Sequence, residues 1–149
     1  MLNYQKSLKA VIGKQKADKV FLNARVVNVY SGEILKADIA ICGDTIVGVG
    51  DYKGETEIDL GGKIVIPGLI DAHLHLESAA ARPEETVSLC AKSGTLGFII
   101  DPHEAANVAG SAGIDYMLEA TADLPADVYM MLPSCVPSIP TEDNGGVFD

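Results

Sequence analysis

Residues 66–80 read IPGLIDAHLHLESAA. A short apolar run opens on Pro67-Gly68 and ends in His73 and His75, with Asp71 before the pair and Glu77 after it. LIDAHLHL is too short for an ordinary helix and predicts a buried strand. Along a strand, residues i and i+2 point to the same side. His73 and His75 are therefore placed to aim two imidazoles at one point, each offering a neutral nitrogen to a divalent metal. Glu77 continues that parity and reaches the same space. Asp71 shares it from deeper in the strand, where it would orient a histidine from behind. The plain alternative is a pair of ordinary histidines beside a solvated carboxylate. A third histidine at the end of the next strand tips the balance toward a metal.

That next strand lies downstream, where strands and helices alternate. RPEETVSLCAKSG, residues 82–94, predicts a helix. Pro83 suits its first turn, Glu84 and Glu85 its positive end, Lys92 its negative end, and Gly94 its stop. LGFIID predicts a second strand. SAGIDYMLEATADL predicts a second helix, capped by Ser111, with Ile114, Met117, Leu118 and Thr121 on one face. DVYMMLPS predicts a third strand. The strands begin near residues 69, 97 and 128, a spacing of one βα unit, so they should be parallel. A (β/α)8 barrel and an open doubly wound sheet both use such units, and both place ligands at the carboxyl ends of the strands. His73 and His75 fall at the first such end, DPHE (101–104) at the second, and PSCVP (133–137) just past the third. His103-Glu104 opens like a zinc-protease H-E-x-x-H, but HEAAN closes on Asn107. The Asp101-Pro102 step predicts a turn, leaving His103 and Glu104 on a loop over the rim as candidates for a base or a substrate contact.

Upstream the texture differs. Residues 3–16 predict a short helix. KVFLNARVVNV predicts a strand, and ADIAICGDTIVGVG two strands turned at Gly43-Asp44. TEIDLGGKIVIPG predicts another strand pair around Gly61-Gly62. The chain thus divides into a helical segment (1–18), a β segment supplying one sheet of a small sandwich (19–66), and the start of a βα array (67–149).

The 149 residues carry a net charge of −10 and are 48% hydrophobic. The acidity excludes nucleic acid as a partner, since phosphate binding needs basic surface. No run of about 18 apolar residues is present to span a membrane. The lysines of residues 6–19 predict a solvated helix face and lack the plan of a signal peptide. Cys42, Cys90 and Cys135 are odd in number and far apart, which fits a reducing cytoplasm. Deaminase H-x-E/P-C-x-x-C, dinucleotide and P-loop motifs are missing.

The β segment followed by VIPGLIDAHLHLE resembles the amidohydrolase superfamily, whose metal site lies at the mouth of a (β/α)8 barrel. DAHLHLES, DPHEAANVAGSAGIDYMLEA and YMMLPSCVPSIP together resemble the adenine deaminase family of that superfamily, over most of residues 20–145. The resemblance implies an α/β fold: a small N-terminal β-sandwich segment, then the first βα units of an incomplete (β/α)8 barrel. It implies hydrolysis of adenine to hypoxanthine and ammonia by metal-activated water, with Mn2+ or Fe2+ (zinc as the alternative) in a site that is binuclear in the complete enzyme. It implies His73 and His75 as metal ligands. Glu77, His103 and Glu104 become the catalytic candidates, and the assembly a homo-oligomer. The sequence departs from the family at AAARP after HLES and at GTLGFII before DPHE. Further ligands of the superfamily come from later strands, so the chain is expected to be a fragment that is inactive alone. Other readings are a cyclic amidase or deacetylase of the same superfamily, or a non-catalytic interaction module.

Overall fold

The computed structural model describes residues 4–139 together with Thr141 and Gly146. The chain forms two compact units that divide after Pro67.

The first unit is one mixed sheet and one helix. Strand β1 (Ala17–Asn28) is its spine, pairing antiparallel with β2 (Glu33–Cys42), which pairs antiparallel with β3 (Thr45–Gly50). Gly43-Asp44 forms the β2–β3 turn, with Gly43 at a φ of 62°. Helix α1 (Tyr4–Val11) turns Ser7 and Ala10 inward. A core of small residues, Ala10, Ala17, Val20, Ala40 and Cys42, leaves room for a helix close to a sheet.

The Gly61-Gly62 segment differs from the expected strand pair. β4 (Gly54–Asp59) and β5 (Ile64–Val65) do not pair with each other; both lie parallel to β1, one after the other. The cause is a bulge in β1 at Asn23, whose φ of 56° throws it out of the ladder. Asn23 is held there by its N–H donating to Asp38 Oδ1 at 2.9 Å and its amide donating to Asp59 Oδ1 at 2.9 Å. Gly61 and Gly62, both at positive φ, let the chain step around the bulge, and the Gly62 N–H donates to the Asn23 carbonyl.

The second unit is a parallel sheet in the order β6 (Leu69–Leu74), β7 (Thr95–Ile100), β8 (Asp127–Met130). Between β6 and β7 run a single 3-10 turn, Leu76–Ser78, and helix α2 (Pro83–Lys92). Between β7 and β8 run α3 (His103–Ala109) and α4 (Ser111–Ala120), joined by Gly110 alone at φ 59°, ψ −139°. Leu76, Val87 of α2, Phe98 and Ile100 of β7, Met117 of α4 and Ala126 make one core. Burying each large apolar side chain contributes about 1.5–3 kcal/mol.

That core places both flanking helices on one face of the sheet. Strand order follows chain order, and α2 and α4 pack on the same face of the sheet as Phe98 and Ile100. A (β/α)8 barrel keeps both features around its whole circuit, whereas a doubly wound sheet keeps them only within each half. This unit is an arc of a (β/α)8 barrel, with helices outside. On the opposite face Ile70 and Tyr129 are 70% and 62% exposed. Among the described residues no helix is long and apolar enough to cross a membrane.

Candidate metal centre

The site forms where β6 and β7 end. β6 keeps its ladder with β7 only to Leu74, which pairs with Ile100, and the Leu74 carbonyl accepts the N–H of Asp101 at 3.1 Å. His73 is therefore still in the strand, while His75 has left it at φ −94°, ψ 85°. Both rings nonetheless meet, with Nε2 to Nε2 at 3.1 Å and centroids 4.9 Å apart.

The environment sets the tautomer of His75. Its Nδ1 lies 2.9 Å from the backbone carbonyl oxygen of Asp101, which can only accept. Nδ1 must carry the hydrogen, so Nε2 of the neutral ring presents its lone pair toward His73. The Asp101 side chain works separately, with Oδ2 3.3 Å from Nδ1 of His103. The His103 ring stands edge-on to that of His75, centroids 4.7 Å apart. All three histidines of the chain thus gather at one strand-end cluster.

One donor atom each from His73, His75 and Asp101 lies within 4.8 Å of the others. Two imidazoles and a carboxylate form a donor set suited to zinc, iron or manganese. The hydrogen bond that fixes His75 Nδ1 is the orienting contact that metal-bound histidines use. The residues fit a divalent cation. Asp101 was not among the sequence candidates. Its signal was its place as the first residue after a strand, opposite a His-x-His strand end.

The other candidates sit differently from their expected places. Glu77 does not continue the strand parity, because the chain coils into the 3-10 turn after His75. Its side chain is 9% exposed and its Oε1 lies 3.8 Å from His75 Nδ1. His103 and Glu104 are not on a loop; they form the first turn of α3, after a buried Pro102. The Glu104 N–H donates to Glu77 Oε1 at 3.2 Å, and the Ser78 hydroxyl donates to Glu104 Oε2. Glu77 Oε2 is buried with no hydrogen-bond partner among the described residues. Asp71 does not orient a histidine ring; its Oδ1 accepts the backbone N–H of His73 at 3.1 Å. The 133–137 run follows β8 as irregular chain.

The sequence profile of the amidohydrolase family matches residues 64–147. An adenine deaminase of Desulfitobacterium hafniense (strain Y51) is 56% identical over 137 residues, covering 92% of this chain and 24% of that protein. An adenine deaminase of Clostridium acetobutylicum is 48% identical over 143 residues, covering 96% of this chain and 25% of its own length. The chain thus spans about a quarter of the length of the curated relatives it matches. Among solved structures, the L-hydantoinase (dihydropyrimidinase) of Arthrobacter aurescens superposes with a TM-score of 0.58 at 23% identity. The match covers 76% of this chain and 27% of that one, a likeness of fold.

Proposed function

The chain belongs to the amidohydrolase family, and we propose that it carries the first strands of an adenine deaminase, which converts adenine and water to hypoxanthine and ammonia. The observation that carries the chemistry is the convergence of His73, His75 and Asp101 at two adjacent strand ends. What supports adenine as the substrate is the identity to two adenine deaminases over nearly the whole chain.

In this reading His73 and His75 would hold a divalent metal, Mn2+ or Fe2+, with the Asp101 carboxylate beside them. A divalent metal bound there would supply Lewis-acid activation of water, drawing its pKa down toward neutrality. The Asp101 carbonyl keeps the hydrogen of His75 on Nδ1. The Asp101 carboxylate does the same for His103 and leaves His103 Nε2 as the atom that takes or gives a proton, the service a leaving ammonia requires. Glu104 and Glu77, bonded to the same two elements, hold the second loop against the first. Among the described residues three strands form an arc of the barrel; in this reading the centre is part of a binuclear site in a cytoplasmic homo-oligomeric enzyme.

The test is to read the gene past the Asp149 codon, express the whole reading frame and assay ammonia and hypoxanthine with Mn2+. Turnover of adenine, lost in His73→Asn, is the expected result. Turnover of a cyclic amide in its place would transfer the site to the cyclic amidases. A frame that ends in unrelated sequence and a protein without turnover would leave a non-catalytic module.

A further inference from the structure

We infer that Glu77 is a positioning residue: its carboxylate latches the 3-10 turn behind His75 to the first turn of α3, and so holds His75 and Asp101 in register. The inference rests on the reading of His73 and His75 as metal ligands with the Asp101 carboxylate beside them.

The geometry has three parts. First, Glu77 is not a solvated carboxylate. Its side chain is 9% exposed and Oε2 is wholly enclosed. Second, Oε1 is already committed. It accepts the Glu104 N–H at 3.2 Å, one of the amide groups that a helix start leaves without an intrahelical partner. Third, the latch is reciprocal, because the next residue, Ser78, donates its hydroxyl to the Glu104 carboxylate. Two successive residues of one loop thus grip a single residue of the other, through its backbone and its side chain.

The consequence for the metal centre follows from chain connectivity. Glu77 is two residues from His75, and Glu104 is three residues from Asp101. The Asp101 carbonyl holds the His75 ring at 2.9 Å. Ring and carbonyl belong to different loops, so that contact persists only while the two loops keep their spacing. β6 and β7 fix the loops on one side, where Leu74 pairs with Ile100. The latch fixes them on the other. What it requires of residue 77 is an acceptor oxygen in that position, and a negative charge is dispensable.

This separates positioning from chemistry. In the whole chain, Co2+ is titrated into wild type, Glu77→Ala and Glu77→Gln, followed by its visible absorption. Hydrogen exchange of amides 103–106 is measured on the same proteins without metal. The expected result is Co2+ binding weakened about 10–100-fold in Glu77→Ala with an altered band. Exchange at 103–106 should be faster, and both properties restored in Glu77→Gln. Failure of Glu77→Gln to restore either would overturn the inference and make Glu77 a ligand or a base. Unchanged binding and exchange in Glu77→Ala would overturn it as well. If Glu77→Ala does not fold, Ser78→Ala, at an exposed position, takes its place with the same readings. Wild type that binds no Co2+ would sink the metal reading, and the exchange data would then decide the latch alone.

Discussion

The His75 ring donates through Nδ1 to the main-chain carbonyl of Asp101, across from one strand end to the next, at 2.9 Å. That contact separates two jobs of one side chain. Asn carries an N–H close to where Nδ1 sits and has no counterpart of Nε2. His75→Asn is therefore expected to melt close to wild type while losing about two orders of magnitude in Co2+ or Mn2+ affinity. Thermal melts beside a metal titration check both halves.

Metal should also stabilise the fold. A cation held by residues of both loops binds the folded state and not the unfolded one. At a free concentration of about 100 times Kd it adds about 2.7 kcal/mol. A rise in Tm with Mn2+, reversed by a chelator and missing in His73→Asn, is the expected pattern. An equal rise in His73→Asn would place the ion elsewhere.

Gly113 of α4 lies tight against the backbone of α3. A Cβ there would sit 2.3 Å from the Ala105 carbonyl oxygen, which is backbone and cannot swing aside. Gly113→Ala is expected to cost about 1–3 kcal/mol, read as a lower urea midpoint. Because α3 carries His103 and Glu104, metal affinity should fall with it.

In the first unit, the Lys6 ammonium beside Asp18 holds that carboxyl below the usual range, helped by the Gly43 N–H. A depressed carboxyl stabilises the fold above its unfolded pKa of about 3.9 and loses that contribution as pH falls through the folded value. Asp18→Asn should therefore be less stable than wild type at pH 7, and the two should converge in acid. Both partners are partly exposed, so the difference should also shrink in high salt. Urea unfolding at several pH values, with and without salt, measures it.

The long elements were legible because their signals are redundant. The β6 and β7 segments are apolar and flanked by glycine or proline, and α2 carries proline, acids, lysine and glycine in helical order. The hairpin turn at Gly43-Asp44 was readable for the same reason. What stayed hidden depended on contacts distant in sequence. The bulge at Asn23 is set by Asp38 and Asp59, so the Gly61-Gly62 step could not be told from a hairpin turn. Helix α3 has seven residues, too few for a periodicity, and runs through Gly110 into α4. The alternation rule brought His73 and His75 together but carried Glu77 too far, because the strand ends one residue before His75. Asp101 became visible only when two strands lay side by side.

The contact between His75 and Asp101 uses a carbonyl that every amino acid possesses. Replacing Asp101 would remove its carboxylate from His103 but would leave the carbonyl in place. The tautomer of His75 is thus insulated from substitution at 101, inherited with the backbone rather than written in a codon. Drift at that position would alter His103 and the donor set of the metal centre first, and His75 would keep its aim for as long as β6 and β7 stay paired.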